Sequence, residues 1–118
     1  MKPITLLAID TCSEASSAAL LYQQVIKERY QLAPRAHTQL ILPMMQSLLD
    51  EAGLKLKDLD ALAFTRGPGS FTGIRIAASI VQASAFVADL PVVLVSSLHC
   101  LAQGVYRELQ TKQVFVAI

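Results

Sequence analysis

Tryptophan is absent from the 118-residue chain, and there are only two cysteines, five glycines and five prolines. Cys12 and Cys100 could form at most one disulfide, and neither lies in a C-x-x-C pair or at a zinc-ligand spacing. No disulfide framework or structural metal site is therefore expected, and the cysteine usage suits a reducing cytoplasm. Charge is sparse and balanced, ten Lys and Arg against nine Asp and Glu. That balance excludes a global basic field able to hold nucleic acid by neutralising phosphates, so a role on RNA requires a partner. Long apolar runs are missing too. Only ITLLAI separates Lys2 and Pro3 from Asp10, and Arg75, Asp89, Pro91 and Arg107 break the later stretches. The expectation is a chain with neither a signal peptide nor the roughly twenty apolar residues that span a bilayer.

What is present is a composition 53% hydrophobic and 16% charged, too apolar for disorder and long enough for one core. ITLLAID, SSAALLY and VIKERYQL read as three short strands of an antiparallel meander, with Gln23 and Gln24 between the last two. Residues 37–52 place Ile41, Met45, Leu48, Leu49 and Ala52 on one helical face. Gly53 stops that helix, and Pro43 either kinks it or marks its effective start. DALAFT is a buried strand, RGPGSFTG a glycine-rich turn, and residues 73–89 a second helix. PVVLVSS supplies a fifth strand, SLHCLAQGVYRELQ a third helix and VFVAI one more strand. The order βββαβαβα predicts an α/β fold with an antiparallel edge on a partly parallel five-stranded sheet. VFVAI ends the chain in mid-strand, so residues 1–113 are expected to form one domain and 114–118 to open a second, cut short.

The candidate chemistry is thin. GPGSFTG could cradle a phosphate, but it has neither the G-x-G-x-x-G nor the P-loop spacing and no lysine, so its simpler reading is a tight turn with Gly67 and Gly69 at positive φ. Asp10, Thr11 and Ser13 sit where strand one ends and could hold a phosphate-bound magnesium; a hairpin cap is the simpler role for the carboxylate. Ser70 is no nucleophile elbow, because the next glycine is Gly73. His37 and His99 read as satisfied histidines and the cysteines as small apolar residues.

The second helix is the most informative feature. Arg75, Ser79 and Gln82 form a narrow polar stripe, Ile76, Ile80, Ala83 and Val87 face one way, and Ile74, Ala77, Ala78, Val81 and Ala85 face another. An apolar arc that wide means burial on two sides. A protein interface through Leu40, Met44, Ile74, Ala77, Ala78, Val81 and Ala85 is the expectation, the small residues allowing close helix approach; the alternative is that the second domain opened by VFVAI covers these surfaces.

LLAIDT, AHTQLILPMMQSLLDEAG and ALAFTRGPGSFTGIRIAASIVQASAFVADLPVVLVSSL resemble the amino-terminal domain of the TsaB (YeaZ) family. The resemblance runs essentially end to end. It implies an actin-like (ASKHA, RNase H-like) fold and a place in the machinery that installs threonylcarbamoyl on the tRNA adenosine beside the anticodon, as the non-catalytic member. The implied partners are a TsaD-type catalytic paralogue and a TsaE-type ATPase, with tRNA met only through the complex, a homodimer when the subunit is alone, and no membrane. The catalytic relatives carry an HxxxH metal motif where this chain has His37 and then Ile41, so no catalytic residue, metal or cofactor carries over. Asp10, Thr11, Gly67 and Gly69 are then remnants of a nucleotide cleft. Two other readings stand beside this one, an ATP-binding phosphotransferase or ATPase of the same fold, and a peptidase acting on its partner.

Overall fold

The computed structural model describes residues 3–11, 13, 15–32, 37–67 and 69–95. Five strands, β1 (Leu6–Asp10), β2 (Ala15–Tyr22), β3 (Val25–Leu32), β4 (Ala61–Thr65) and β5 (Val92–Val95), form one sheet. Its order is β3-β2-β1-β4-β5. The first three strands pair antiparallel, and β4 and β5 join parallel to β1 and to each other. Helix α1 (His37–Ala52) links the edge strand β3 to β4, and α2 (Phe71–Ala88) links β4 to β5. The mixed five-stranded sheet with its antiparallel edge, and the order of elements along the chain, are as expected. The third helix and the VFVAI strand lie outside the described residues.

Strand alternation sends Leu7 and Ile9, Ala18 and Leu20, and Leu62 and Phe64 to one face of the sheet. There they meet Ile41, Met45, Leu48 and Leu49 of α1 and Ala77, Val81 and Ala85 of α2 in a single cluster. Burying each large aliphatic or aromatic side chain contributes about 1.5–3 kcal/mol, so this layer is what holds the helices on the sheet. At the other end of the strands, the Asp60 carboxylate accepts from the Thr5 amide at 2.7 Å while the Asp60 amide donates to the Thr5 carbonyl at 2.8 Å. That reciprocal pair sets the register in which Leu6 lies beside Ala61.

Pro43 lies inside α1, seven residues in, and does not mark its start. The helix can carry it because the carbonyl it deprives of a partner belongs to Gln39, which is exposed and can be hydrated. α2 begins two residues before the expected Gly73, with Ser70 as its cap: the Ser70 hydroxyl accepts from the Gly73 amide at 3.2 Å. By length and composition α2 is the one helix among the described residues apolar enough to cross a membrane, which tempers the exclusion drawn from the primary structure. Its buried stripe, Gly73, Ala77, Val81 and Ala85, faces the sheet, and its remaining apolar residues point elsewhere.

Candidate functional site

Because β1 and β4 are parallel neighbours with Ile9 beside Phe64, their carboxyl ends lie side by side. The structure thereby brings Asp10 and Thr11 next to the turn containing Gly67 and Gly69. The groups there serve the fold. Thr11 is fully buried and its hydroxyl donates to the Gly73 carbonyl at 2.5 Å, pinning the end of β1 to the first turn of α2. Gly67 takes φ +106°, which calls for glycine, and a Cβ there would lie 2.8 Å from the Ile74 Cδ1 atom, the movable end of a side chain that would have to shift. Ser13 accepts from the Ala15 amide at 3.3 Å, a local hydroxyl turn. Asp10 is half-buried opposite Ser17. It lines a cavity of about 230 Å³ on the second face of the sheet, with Ser17, Glu28 and Thr65 among its walls.

His37 opens α1, is buried, and places Nδ1 2.5 Å from the Ser16 hydroxyl on β2. The reading of His37 as a satisfied histidine therefore holds. Ile41, one turn on, is in the core. An imidazole committed to a serine and an isoleucine beneath it do not fit a metal ion. Among the described residues no three His, Cys, Asp or Glu come together as ligands. A serine beside a histidine invites a nucleophile–base reading, but Ser16 is fully enclosed and can meet no substrate.

The helix face departs from expectation. Ala77 is 0% exposed and Val81 1%, and Ala85 and Met44 are buried with them. These four residues are core, and a side chain filled in by its own sheet cannot also serve an interface. Leu40, Ile74 and Ala78 are half-buried at the margin. What points outward is the other apolar row. Leu42 of α1 is 53% exposed, Phe86 88% and Val87 81%; Ala83 is exposed with them, while Ile76 and Ile80 are half-buried, Ile80 against the margin of the core. Between the two helices runs a groove of about 470 Å³ lined by Leu42, Ile76 and Ile80 together with Thr38, Thr72, Arg75 and Ser79. Arg75 stacks its guanidinium over Phe71, 5.5 Å from the ring centre, at one end of it.

The model of the family described as tRNA N6-adenosine threonylcarbamoyltransferase, TsaD, matches residues 21–118. The chain is 50% identical over its whole length to a tRNA threonylcarbamoyladenosine biosynthesis protein TsaB of Haemophilus influenzae, and 48% identical over 113 residues to that of Escherichia coli. It belongs to the TsaD family, in its TsaB (YeaZ) group. The solved structure of YeaZ from Pseudomonas aeruginosa superposes with a TM-score of 0.89 at 51% identity, over 93% of this chain and 52% of that one. RuvC of Thermus thermophilus shares the fold alone, with a TM-score of 0.53 at 14% identity over 97% of this chain and 85% of its own. The chain spans about half the length of the curated TsaB relatives it matches.

Two features of this TsaB-group chain escaped the primary structure. The Ser16–His37 contact joins residues 21 apart, and nothing in the local pattern ties a strand serine to a helix-opening histidine. The Leu42, Phe86 and Val87 surface was visible as apolar residues, but a helix apolar on two sides does not declare which side the sheet takes.

Proposed function

We propose that this chain acts as a non-catalytic TsaB-type subunit required for threonylcarbamoyl modification of the tRNA adenosine beside the anticodon. It works in the cytoplasm by laying α1 and α2 against the matching helices of a TsaD-type catalytic paralogue, and against a second copy when alone. A TsaE-type ATPase and tRNA are reached through that complex. The observation that carries this reading is the outward face of the helix pair, where Leu42, Ile76, Ile80, Phe86 and Val87 form an apolar strip beside a groove. Such a strip stabilises helix–helix association once it is desolvated. The inner hydroxyls of Thr11 and Ser16 are occupied within the fold, which favours a supporting part over a catalytic one.

The test is reconstitution of tRNA modification with the full-length protein. Ile80→Glu, alone or with Leu42→Glu, is expected to remove the complex and the modification together. Truncating a central interface anchor costs about 2 kcal/mol or more, roughly thirtyfold in affinity, and a buried unpaired carboxylate adds to it. Asp10→Ala is expected to leave both nearly intact. Should Asp10→Ala abolish modification while the complex persists, the subunit takes part in nucleotide chemistry. Should Ile80→Glu leave the complex intact, the helix face is the wrong surface.

A further inference from the structure

β3 is an edge strand eight residues long, with every residue but Arg29 exposed. It lies at the sheet border, beyond β2. Its hairpin with β2 has a two-residue loop, Gln23 and Gln24 both at positive φ, which makes Tyr22 and Val25 a hydrogen-bonded pair. Alternation from that pair turns the amides and carbonyls of Val25, Lys27, Arg29 and Gln31 toward β2. Those of Ile26, Glu28 and Tyr30 point away from the sheet. Arg29 reaching its own neighbour's carbonyl, Nη1 to Glu28 O at 3.1 Å, agrees with that direction. Among the described residues nothing pairs with that side, so the strand offers an open row of ladder groups.

Its two faces differ in chemistry. Register puts Lys27 and Arg29 opposite Leu20 and Ala18, on the helix side, where they share one anion, Glu51, at 3.8 and 3.3 Å. Two cations on one carboxylate leave that side net positive. Ile26, Tyr30 and Leu32 occupy the other side as an exposed apolar row interrupted by Glu28. A second copy is a poor occupant. Two-fold antiparallel pairing centred on Glu28 sets Glu28 against Glu28 and Lys27 against Arg29, and centring on Lys27 or Arg29 sets like against like; like charges directly opposite destabilise a pair, and the registers centred on Ile26 or Tyr30 that avoid this engage only one end of the strand.

We infer that β3 takes up an extended segment of another protein as an additional strand. The segment alternates acidic and apolar residues, its carboxylates beside Lys27 and Arg29 and its apolar side chains beside Ile26, Tyr30 and Leu32, with a basic residue at the one position next to Glu28. The ladder supplies affinity and the two faces supply specificity. This surface is separate from the α1–α2 groove and does not depend on it.

The probe is a capped synthetic peptide alternating glutamate and valine with a lysine at the middle valine, titrated to millimolar concentration into the isotope-labelled protein and followed by amide chemical shifts and hydrogen exchange. Shift changes centred on residues 25–32 and slowed exchange of the Ile26, Glu28 and Tyr30 amides are expected, weakening with salt. N-methylation of one ladder amide in the peptide removes one hydrogen bond and should weaken binding about fivefold to tenfold. Lys27→Glu should weaken it as well, in a protein whose melting temperature is unchanged. No binding, shift changes that map elsewhere, equal binding of the N-methylated peptide, or self-association lost on altering β3 would each overturn the inference.

Discussion

At the scale of single residues, the groups that look most like chemistry are spent on joining elements. Thr11 is the plainest instance. Thr11→Val keeps the shape but removes the second donor to the Gly73 carbonyl, which keeps its helical bond, and a loss of about 0.5–1.5 kcal/mol is expected in a denaturant or thermal melt. Gly67 gives a second. Gly67→Ala meets both a positive φ and the Ile74 Cδ1 atom, whereas Gly53→Ala at φ +70° meets open space and bears only the backbone cost of about 1 kcal/mol. Ile74→Val removes the obstructing methyl, so the cost of Gly67→Ala should fall in that background. A double-mutant cycle on thermal melts measures the difference, and an unchanged cost would mean that the side chain is not what excludes a Cβ.

At the scale of elements, helix and strand ends carry correctable strain. Asp89 closes α2 in the left-handed region, φ 55° and ψ 54°, where glycine is the usual residue. Asp89→Gly is expected to stabilise the protein by about 1 kcal/mol, read as a higher melting temperature. Gln23 and Gln24 hold the same region in the β2–β3 turn, and replacing them by Asn-Gly should stabilise the hairpin in the same way. These elements were largely legible from pattern: α1 coincides with the periodic run from His37, and β3 with VIKERYQL. The 3-10 turn at Leu56–Asp58 was not legible, because its start is fixed by Asp58 reaching back to accept from the Lys55 amide at 2.8 Å rather than by hydropathy.

At the scale of the whole molecule, both helices lie on one face of the sheet, and this divides α2 into an inner and an outer half. Val81 and Ile80 are adjacent in sequence and opposite in consequence. Val81→Glu puts a carboxylate into the core, where an unpaired charge costs several kcal/mol. It should lower the melting temperature steeply or prevent folding. Ile80 is half-buried, packed against the margin of the core while lining the groove, so Ile80→Glu should lower the melting temperature far less than Val81→Glu and leave the isolated protein folded by circular dichroism. Similar destabilisation by both would mean that the outer row is structural rather than a surface for association.

The strands, the two helices and the turn at Gly67 were legible in the sequence itself, because alternation, periodicity and glycine act over a few residues. Which face of α2 meets the sheet was a tertiary decision. Gly73, Ala77 and Ala85 are small enough to bring the helix backbone close to Leu62 and Phe64, and Thr11 anchors the first turn in that rotation. The bulkier Phe86 and Val87 are thereby left outside, and Ile76 and Ile80 are only half-covered. Hydrophobicity alone could not rank the two faces, since both are apolar; side-chain volume against a particular sheet, and one hydrogen bond from 62 residues away, did.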